Sequence, residues 1–462
     1  MPDLEFDTVV LGGGSAGYAA ARTLSAAGSN CAVIEGGEQV GGLCILRGCM
    51  PTKALLHAAE LREAIRQGEM WGIRAEAVTV DLQRTVARKN ELIDEFALFR
   101  QQQLNSGRYR FIRARAEFLK PHLIQLDDGR IVQARNFVIA TGSVQGVPLV
   151  AGLAETGYLT SDTAIGLTKF PASIAILGGG AVAVEFAQYF SRFGVRVTII
   201  QRSAQILRDF DEDVAAEVTA ALVREGIGVV TRTKLEKIEQ TPTGKCVHFS
   251  VGGEPKTLVV DEIFNGLGRS PNTASLHLER AAVMTDHGRI VTTTDQQTSQ
   301  QHIFAAGDCC GPHEIVHIAI QQGEIAAHNI LHPSKVRRID YKLLLSVVFC
   351  DPQVACVGLT EREGKLRGIP YVTAQYPFND HGKSMILGAK DGFVKLIAKP
   401  DTGEILGGVC VGPQGGELIH EIVVAMHQRM TAAALAQVPH YHPTLAEIWT
   451  YPAEEIAEMV AS

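Results

Sequence analysis

FDTVVLGGGSAGYAAARTLSAAGSNCAVIE, residues 6 to 35, decides how the rest of the chain is read. A short apolar run ends in three glycines, an alanine-rich stretch with helical spacing follows, and CAVIE resumes a β pattern. The order predicts strand, tight turn, helix, strand. Gly12, Gly14 and Gly17 stand in the G-x-G-x-x-G spacing of a dinucleotide-binding turn. Gly12 suits the tight turn, Gly14 lets backbone approach a pyrophosphate, and Gly17 lets the helix pack on the strand. Ser15, inside the turn, joins the cofactor-binding set, and Glu35 closes the second strand, placed to accept hydrogen bonds from ribose hydroxyls.

The pattern recurs. SIAILGGGAVAVEFAQYFSRFGVRVTIIQR, residues 173 to 202, repeats strand, turn, helix, strand with Gly178, Gly180 and Ala183 at the three small positions. Two such units point to two dinucleotides, a flavin and a nicotinamide carrier. In the second unit Gln201 stands where an acid would hold a free 2′-hydroxyl, and Arg202 and Arg208 follow. An acid would repel a 2′-phosphate, whereas guanidinium groups bind phosphate through charge-assisted bidentate hydrogen bonds. This favours NADPH over NADH; the alternative is a pair of solvated surface arginines.

With 462 residues the chain has room for two or three domains. A net charge of −7 gives nucleic acid or an anionic membrane nothing to gain. The acidic N-terminus and the lack of a long apolar run lead to the expectation of a cytoplasmic protein without membrane attachment. Nine cysteines, several in apolar strand-like surroundings (Cys31, Cys246, Cys410), do not read as a secreted disulfide framework. Residues 53 to 106 read as helical, the stretch from Arg110 as short strands around an Asp128-Gly129 turn, and the chain beyond residue 330 as a further α+β domain.

GGLCILRGCMPTK, residues 41 to 53, places Cys44 and Cys49 in a glycine-rich loop. A zinc clip would need more ligands than the local His57, and packing thiols sit awkwardly among Gly41, Gly42 and Gly48. A redox couple is the third reading. Pro51 suits the first turn of a helix, which puts Cys49 at the positive end of the macrodipole, where a thiolate is favoured.

Gly41, Gly42, Cys44, Gly48, Cys49, Pro51 and Lys53 resemble the active-site signature of the flavoprotein disulfide reductases, the family of glutathione reductase, dihydrolipoamide dehydrogenase and mercuric reductase. The resemblance extends over nearly the whole chain. IATGS (139 to 143) and IFAAGDCCG (303 to 311) resemble flavin-contacting turns, GRSPN (268 to 272) the return from the nicotinamide domain, and VPHYHPTLAEIW (438 to 449) an H-P-T-x-x-E signature. It implies an α/β fold of two Rossmann-like domains plus a C-terminal α+β dimerisation domain. FAD would bind residues 1–145 and 270–335, NAD(P) residues 146–269, and residues 336–462 would form the interface. By the resemblance, Cys49 is the thiol next to the flavin and Cys44 the thiol that attacks substrate. Lys53 lies beside the flavin ring, paired with Glu185. His442 acts as acid and base, oriented by Glu447, and reaches the site from the partner subunit of an obligate homodimer. Gly42, Ala116, Thr141, Gly142, Asp308 (towards the ribityl chain) and Gly268 complete the cofactor-binding positions. No metal is implied.

The sequence departs from the family at Leu43 and Leu46, where threonine and asparagine are usual. Ser15 and Arg22 stand where glutathione reductases place groups near their substrate, but Glu324 replaces an arginine, which speaks against glutathione. VHIAIQQGE (316 to 324), with His317, resembles dihydrolipoamide dehydrogenases, and the ending AEMVAS lacks the cysteine pair of mercuric reductases. The adjacent Cys309 and Cys310 are expected to be structural, since neighbours rarely form an unstrained disulfide; Cys350 and Cys356 are expected to be buried thiols. The expected activity is reduction of a small disulfide by NADPH through FAD and the Cys44-Cys49 disulfide. The alternative is an NAD-dependent dihydrolipoamide dehydrogenase, possibly docked on a multienzyme complex, although no lipoyl-type domain precedes residue 1.

Overall fold

The computed structural model describes residues 1–461, which form two compact units. The first comprises Met1–Leu55, Asp81–Val147 and Gly268–Asp340; the second comprises Leu56–Val80, Pro148–Leu267 and the chain from Tyr341.

The first unit is built on the strand Leu4–Leu11, which runs parallel between Cys31–Glu35 and Ile131–Ile139. Val10 is in register with Val33 on one side and Val138 on the other. Arg110–Arg113 and Ile303–Ala305 extend the parallel sheet, and Leu123–Leu126 and Ala116–Lys120 add an antiparallel hairpin. Its strands read as unbroken apolar runs because both faces are covered. Val9, Leu11, Ile34 and Phe137 enter one core, while Val10, Val33 and Val138 enter another with Leu24. Each such side chain contributes roughly 1.5–3 kcal/mol on burial. The helices Ser15–Ala26 and Val316–Leu331 pack backbone to backbone at Gly323, where a Cβ would lie 2.2 Å from the Ala16 carbonyl oxygen.

The second unit contains a four-stranded parallel sheet in the order Gly228–Val230, Arg196–Ile200, Ser173–Leu177, Glu262–Asn265. A three-stranded antiparallel sheet (Thr233–Thr241, Gly244–Val251, Glu254–Val260) accompanies it. Its C-terminal part is a five-stranded antiparallel sheet carrying the helices Gly415–His427 and Thr450–Ala461, with Trp449 fully buried. Two buried cations join these parts into one unit. Arg192 lies 2.7 Å from Glu225 and 2.6 Å from Asp351, and Lys395 lies 2.8 Å from both Asp213 and Glu361. Burial pulls the Lys395 pKa down, but its hydrogen bonds to Asp213 and Glu361 override this and hold the ammonium charged. The stretch read as helical from 53 to 106 is two helices, Cys49–Gln67 and Leu82–Leu104, separated by a 3-10 turn at Gly68–Trp71. Among the described residues no helix is long and apolar enough to cross a membrane.

Candidate active site

Both glycine turns adopt the conformation that their spacing predicts. Gly12 has φ +107°, and a Cβ there would lie 2.4 Å from the Ala140 carbonyl oxygen. Gly17 serves packing rather than binding, since its Cβ would lie 1.9 Å from the Gly12 oxygen. Gly14 caps the helix Ser15–Ala26 without a side-chain hydrogen bond, and the first turn holds no acid. The positive pole of that helix is therefore left for an anion.

A cleft of about 480 Å³ opens at this pole. Gly12, Gly14, Ser15, Glu35, Gly42, Cys44, Ala116, Thr141, Gly142 and Asp308, all expected at the site from sequence, line it together. Gly42 closes on Gly14 so tightly that a Cβ on Gly42 would lie 2.7 Å from the Gly14 Cα. The Glu35 carboxylate accepts from the Gly13 and Gly37 amides, each at 2.7 Å. Two of its roughly four lone-pair sites remain for hydroxyls. The Thr141 hydroxyl is buried with no partner among the described residues, a loss of about 1–3 kcal/mol unless a ligand answers it. Ser143 donates to Asp308 at 2.7 Å and is itself held by Arg269 at 2.9 Å. Sequence reasoning missed Arg269, although it lies within GRSPN. An uncapped helix, a cradle free of side chains and an orphaned hydroxyl fit FAD.

The cysteine loop borders the same cleft. Cys44 lies in the short helical segment Gly42–Leu46 and is half-buried, and Cys49 begins the helix Cys49–Gln67 and is exposed. Gly48 turns the chain between them; a Cβ there would meet the Leu43 oxygen at 3.1 Å and the Cys44 Cα at 3.3 Å. The Cys44 thiol is pushed well above the ordinary range, first by its hydrogen bond with Cys49, then by burial and the charge of Cys49; Lys53 pulls the other way. The two thiols therefore titrate as a coupled pair, in which the contact with Cys49 favours the protonated form of Cys44. His57 instead sits beside Glu60 at 3.6 Å. Among the described residues the one metal-competent group is Glu239, Cys246 and His248, whose carboxylate is already taken by Lys237 at 2.7 Å and His248 at 2.8 Å.

In the second unit Gly178 has φ +101° with its Cβ position 2.5 Å from the Gly266 oxygen, and Gly180 again caps a helix, Ala181–Arg192, without side chain or acid. Ala183 packs at the Gly266 Cβ position, 3.0 Å away. Gln201 is spent on the loop, accepting from the Arg202 amide at 3.2 Å and donating to the Gln205 oxygen at 3.3 Å. The Arg202 guanidinium is exposed with no partner among the described residues, while Arg208 lies 3.5 Å from Asp209. Glu185 is buried and accepts from the Phe349 amide at 3.0 Å. Gly268 (φ +118°) bonds the Gly146 amide where the chain re-enters the first unit.

Of the two C-terminal histidines, His440 has both ring nitrogens engaged, by Glu421 at 2.6 Å and the Val438 oxygen at 2.8 Å. Among the described residues His442 uses only Nδ1, at 2.9 Å from Glu447, and its side chain is 78% exposed. A carboxylate on one nitrogen fixes the tautomer and presents the other nitrogen as a base. Sequence reasoning missed His381, which is fully buried with Nε2 at 3.3 Å from the other Glu447 oxygen. Arg22 is neutralised by Glu324 at 2.6 Å.

Known proteins share this layout. The sequence model of the family described as pyridine nucleotide-disulphide oxidoreductase matches residues 6–323, and that of its dimerisation domain matches residues 344–453. The chain is 33% identical over 456 residues to a dihydrolipoyl dehydrogenase of Geobacillus stearothermophilus, covering 98% of this chain and 96% of the relative. It is 30% identical over 450 residues to a mercuric reductase of Staphylococcus aureus, covering 96% and 81%. Among solved structures it is similar to the HOCl-induced flavoprotein disulfide reductase RclA of Escherichia coli, with TM-score 0.87 and 27% identity over 97% of this chain and 99% of that one. It is also similar to LpdA of Mycobacterium tuberculosis, with TM-score 0.88 and 25% identity over 98% and 99%.

Proposed function

Because this chain belongs to the pyridine nucleotide-disulphide oxidoreductases, we propose that it reduces a small disulfide with electrons from NADPH by way of Cys44 and Cys49. It is a homodimeric flavoprotein that uses FAD and a pyridine nucleotide. The FAD, when bound, relays an electron pair from the reduced nicotinamide to the Cys44-Cys49 disulfide. Lys53 and Glu185 are assigned to this flavin-side chemistry, and a cytoplasmic setting belongs to the same proposal.

The observation that carries the reading is a half-buried and an exposed cysteine on one glycine-turned loop at a helix N-terminus, with Cys44 lining the cleft. Cys44, held as a thiol, must lose its proton before it attacks, and the Nε2 of His442 is the base we assign to it, reaching the site from the partner subunit. The Cys44 thiolate attacks one sulfur of the substrate, a mixed disulfide forms, and the leaving thiolate takes the proton back from His442. The Cys49 thiolate then attacks the Cys44 sulfur, restores the internal disulfide and expels the second thiol, which also leaves protonated. The sum is one disulfide, one NADPH and one proton to two thiols and NADP⁺.

Initial rates on a panel of small disulfides with each nucleotide test the reading. NADPH is expected to exceed NADH in kcat/KM by at least about tenfold, and Arg202→Ala to cut the NADPH value about 10- to 100-fold while leaving NADH within about twofold. Arg208→Ala is expected to cost less, since Asp209 already shares its charge. A preference for NADH with lipoamide as acceptor would favour the second reading, an NAD-dependent dihydrolipoamide dehydrogenase, which the naming of the relative from Geobacillus stearothermophilus supports.

A further inference from the structure

Glu447 belongs to a network longer than its pairing with His442. His381 follows the turn Phe378–Asp380 and precedes the short helix Gly382–Leu387, and it is fully buried. Its Nδ1 lies 2.8 Å from the hydroxyl of Ser384, also fully buried, and its Nε2 lies 3.3 Å from Glu447 Oε1. The carboxylate therefore has an imidazole at each oxygen, His442 on Oε2 at 2.9 Å and His381 on Oε1. The Nε2 contact is poorly aligned, so that nitrogen makes no formed hydrogen bond. A buried N–H in that state is a donor held in reserve for its nearest acceptor.

Burial pushes the His381 imidazole below its ordinary range; Glu447 opposes this, and His442 adds to it. Glu447 and His442 are the charged groups that act on the ring. The other elements around it present Phe378, the ring of Tyr451 and Asp380, whose carboxylate is taken by the Tyr376 hydroxyl at 3.0 Å. A neutral His381 that accepts the Ser384 hydroxyl on Nδ1 carries its proton on Nε2, the atom facing Glu447.

We propose that His381 is a positioning residue for the proton-transfer step: its Nε2, 3.3 Å behind Oε1, biases the Glu447 carboxylate electrostatically, so that His442 keeps Nδ1 as donor and Nε2 as the exchanging atom. The proposal rests on the reading of His442 given above. Without His381, Glu447 would turn more freely and lend its whole charge to His442, which would then bind its proton more tightly.

The test is the pH dependence of kcat and kcat/KM of the holoenzyme with NADPH and lipoamide. His381→Phe keeps volume and removes the donor. It is expected to raise the acid-limb pKa by about half to one unit and to lower kcat severalfold with KM within about twofold. His381→Gln, which restores an N–H near Nε2 without titrating, is expected to return both towards wild type. A His381→Phe profile that superimposes on wild type, or a Gln variant as impaired as Phe, overturns the proposal. Should His381→Phe not yield dimeric flavoprotein, Ser384→Ala carries the test, with the same direction of shift expected and an unchanged profile contrary. His442→Ala separates the two failures: if it is silent the functional reading falls, and if it is inactive while His381→Phe is silent only the positioning role falls.

Discussion

Two pairs of cysteines lie in the first unit, and their surroundings assign them opposite work. Cys44 and Cys49 sit on a glycine-turned loop, one half-buried and one exposed, with a helix N-terminus and Lys53 at hand. Cys309 and Cys310 are adjacent in sequence and closed inside an apolar cluster at 0% and 6% exposure. The Cys309 sulfur faces the carbonyl oxygens of Ile139 and Ala306, both at 3.4 Å, and that of Cys310 faces Gly307 at 3.3 Å. Carbonyl acceptors favour thiols, and the hydrogen bond with Cys309, followed by burial, pushes the Cys310 thiol well above the ordinary range. Sulfur proximity alone does not make a redox couple. Exposure on a loop that borders the cleft, with a helix N-terminus and Lys53 at hand, is what distinguishes the first pair.

The contrast breaks most visibly at Cys44. Cys44→Ser is expected to cut disulfide reduction at least about 10⁴-fold with flavin content unchanged, read by steady-state turnover; retained turnover would dissolve the distinction between the pairs. Lys53→Met sharpens the electrostatic half of the argument. Lysine lowers the energy of a thiolate, so its loss is expected to raise the pH at which the reduced pair first ionises by about one unit. Iodoacetamide reactivity against pH measures this, and an unmoved profile counts against the role of Lys53. Gly48→Ala probes the loop itself: the added methyl would displace the Leu43 carbonyl or the Cys44 backbone by tenths of an ångström, and thiol exchange is expected to slow by roughly three- to tenfold, since misplacements of that kind degrade attack geometry. Smallest in effect on rate is Cys309→Ser, expected to cost about 1–2 kcal/mol of stability in chemical denaturation for a poorly housed hydroxyl, with turnover within about twofold. A rate loss comparable to that of Cys44→Ser would give the inner pair a redox role.

The same contrast explains what the sequence could and could not disclose. Glycine turns are legible because a positive φ or a Cβ collision at Gly12 and Gly178 leaves no substitute residue. The Cys44-Cys49 loop and the His442-Glu447 spacing are legible because each partner lies within five or six residues of the other. His381 was not, since 66 positions separate it from Glu447 and a single histidine in FNDHGKSM carries no periodic or spacing signal. The orphaned Thr141 hydroxyl and the hold of Arg269 on Ser143 are likewise products of strands brought together by folding. The packing of residues 148–267 with the C-terminal part in one unit rests on ion pairs such as Lys395 with Asp213, between residues 182 apart; local pattern cannot reveal such a pairing.

Anaerobic reductive titration of the purified flavoprotein tests the central claim most directly. With a working Cys44-Cys49 couple, each subunit is expected to take up about four electrons, two in the flavin and two in the disulfide, and to develop a long-wavelength thiolate-to-flavin absorbance at the halfway point. Uptake ending at the flavin's own two electrons, with no such band, would contradict the account.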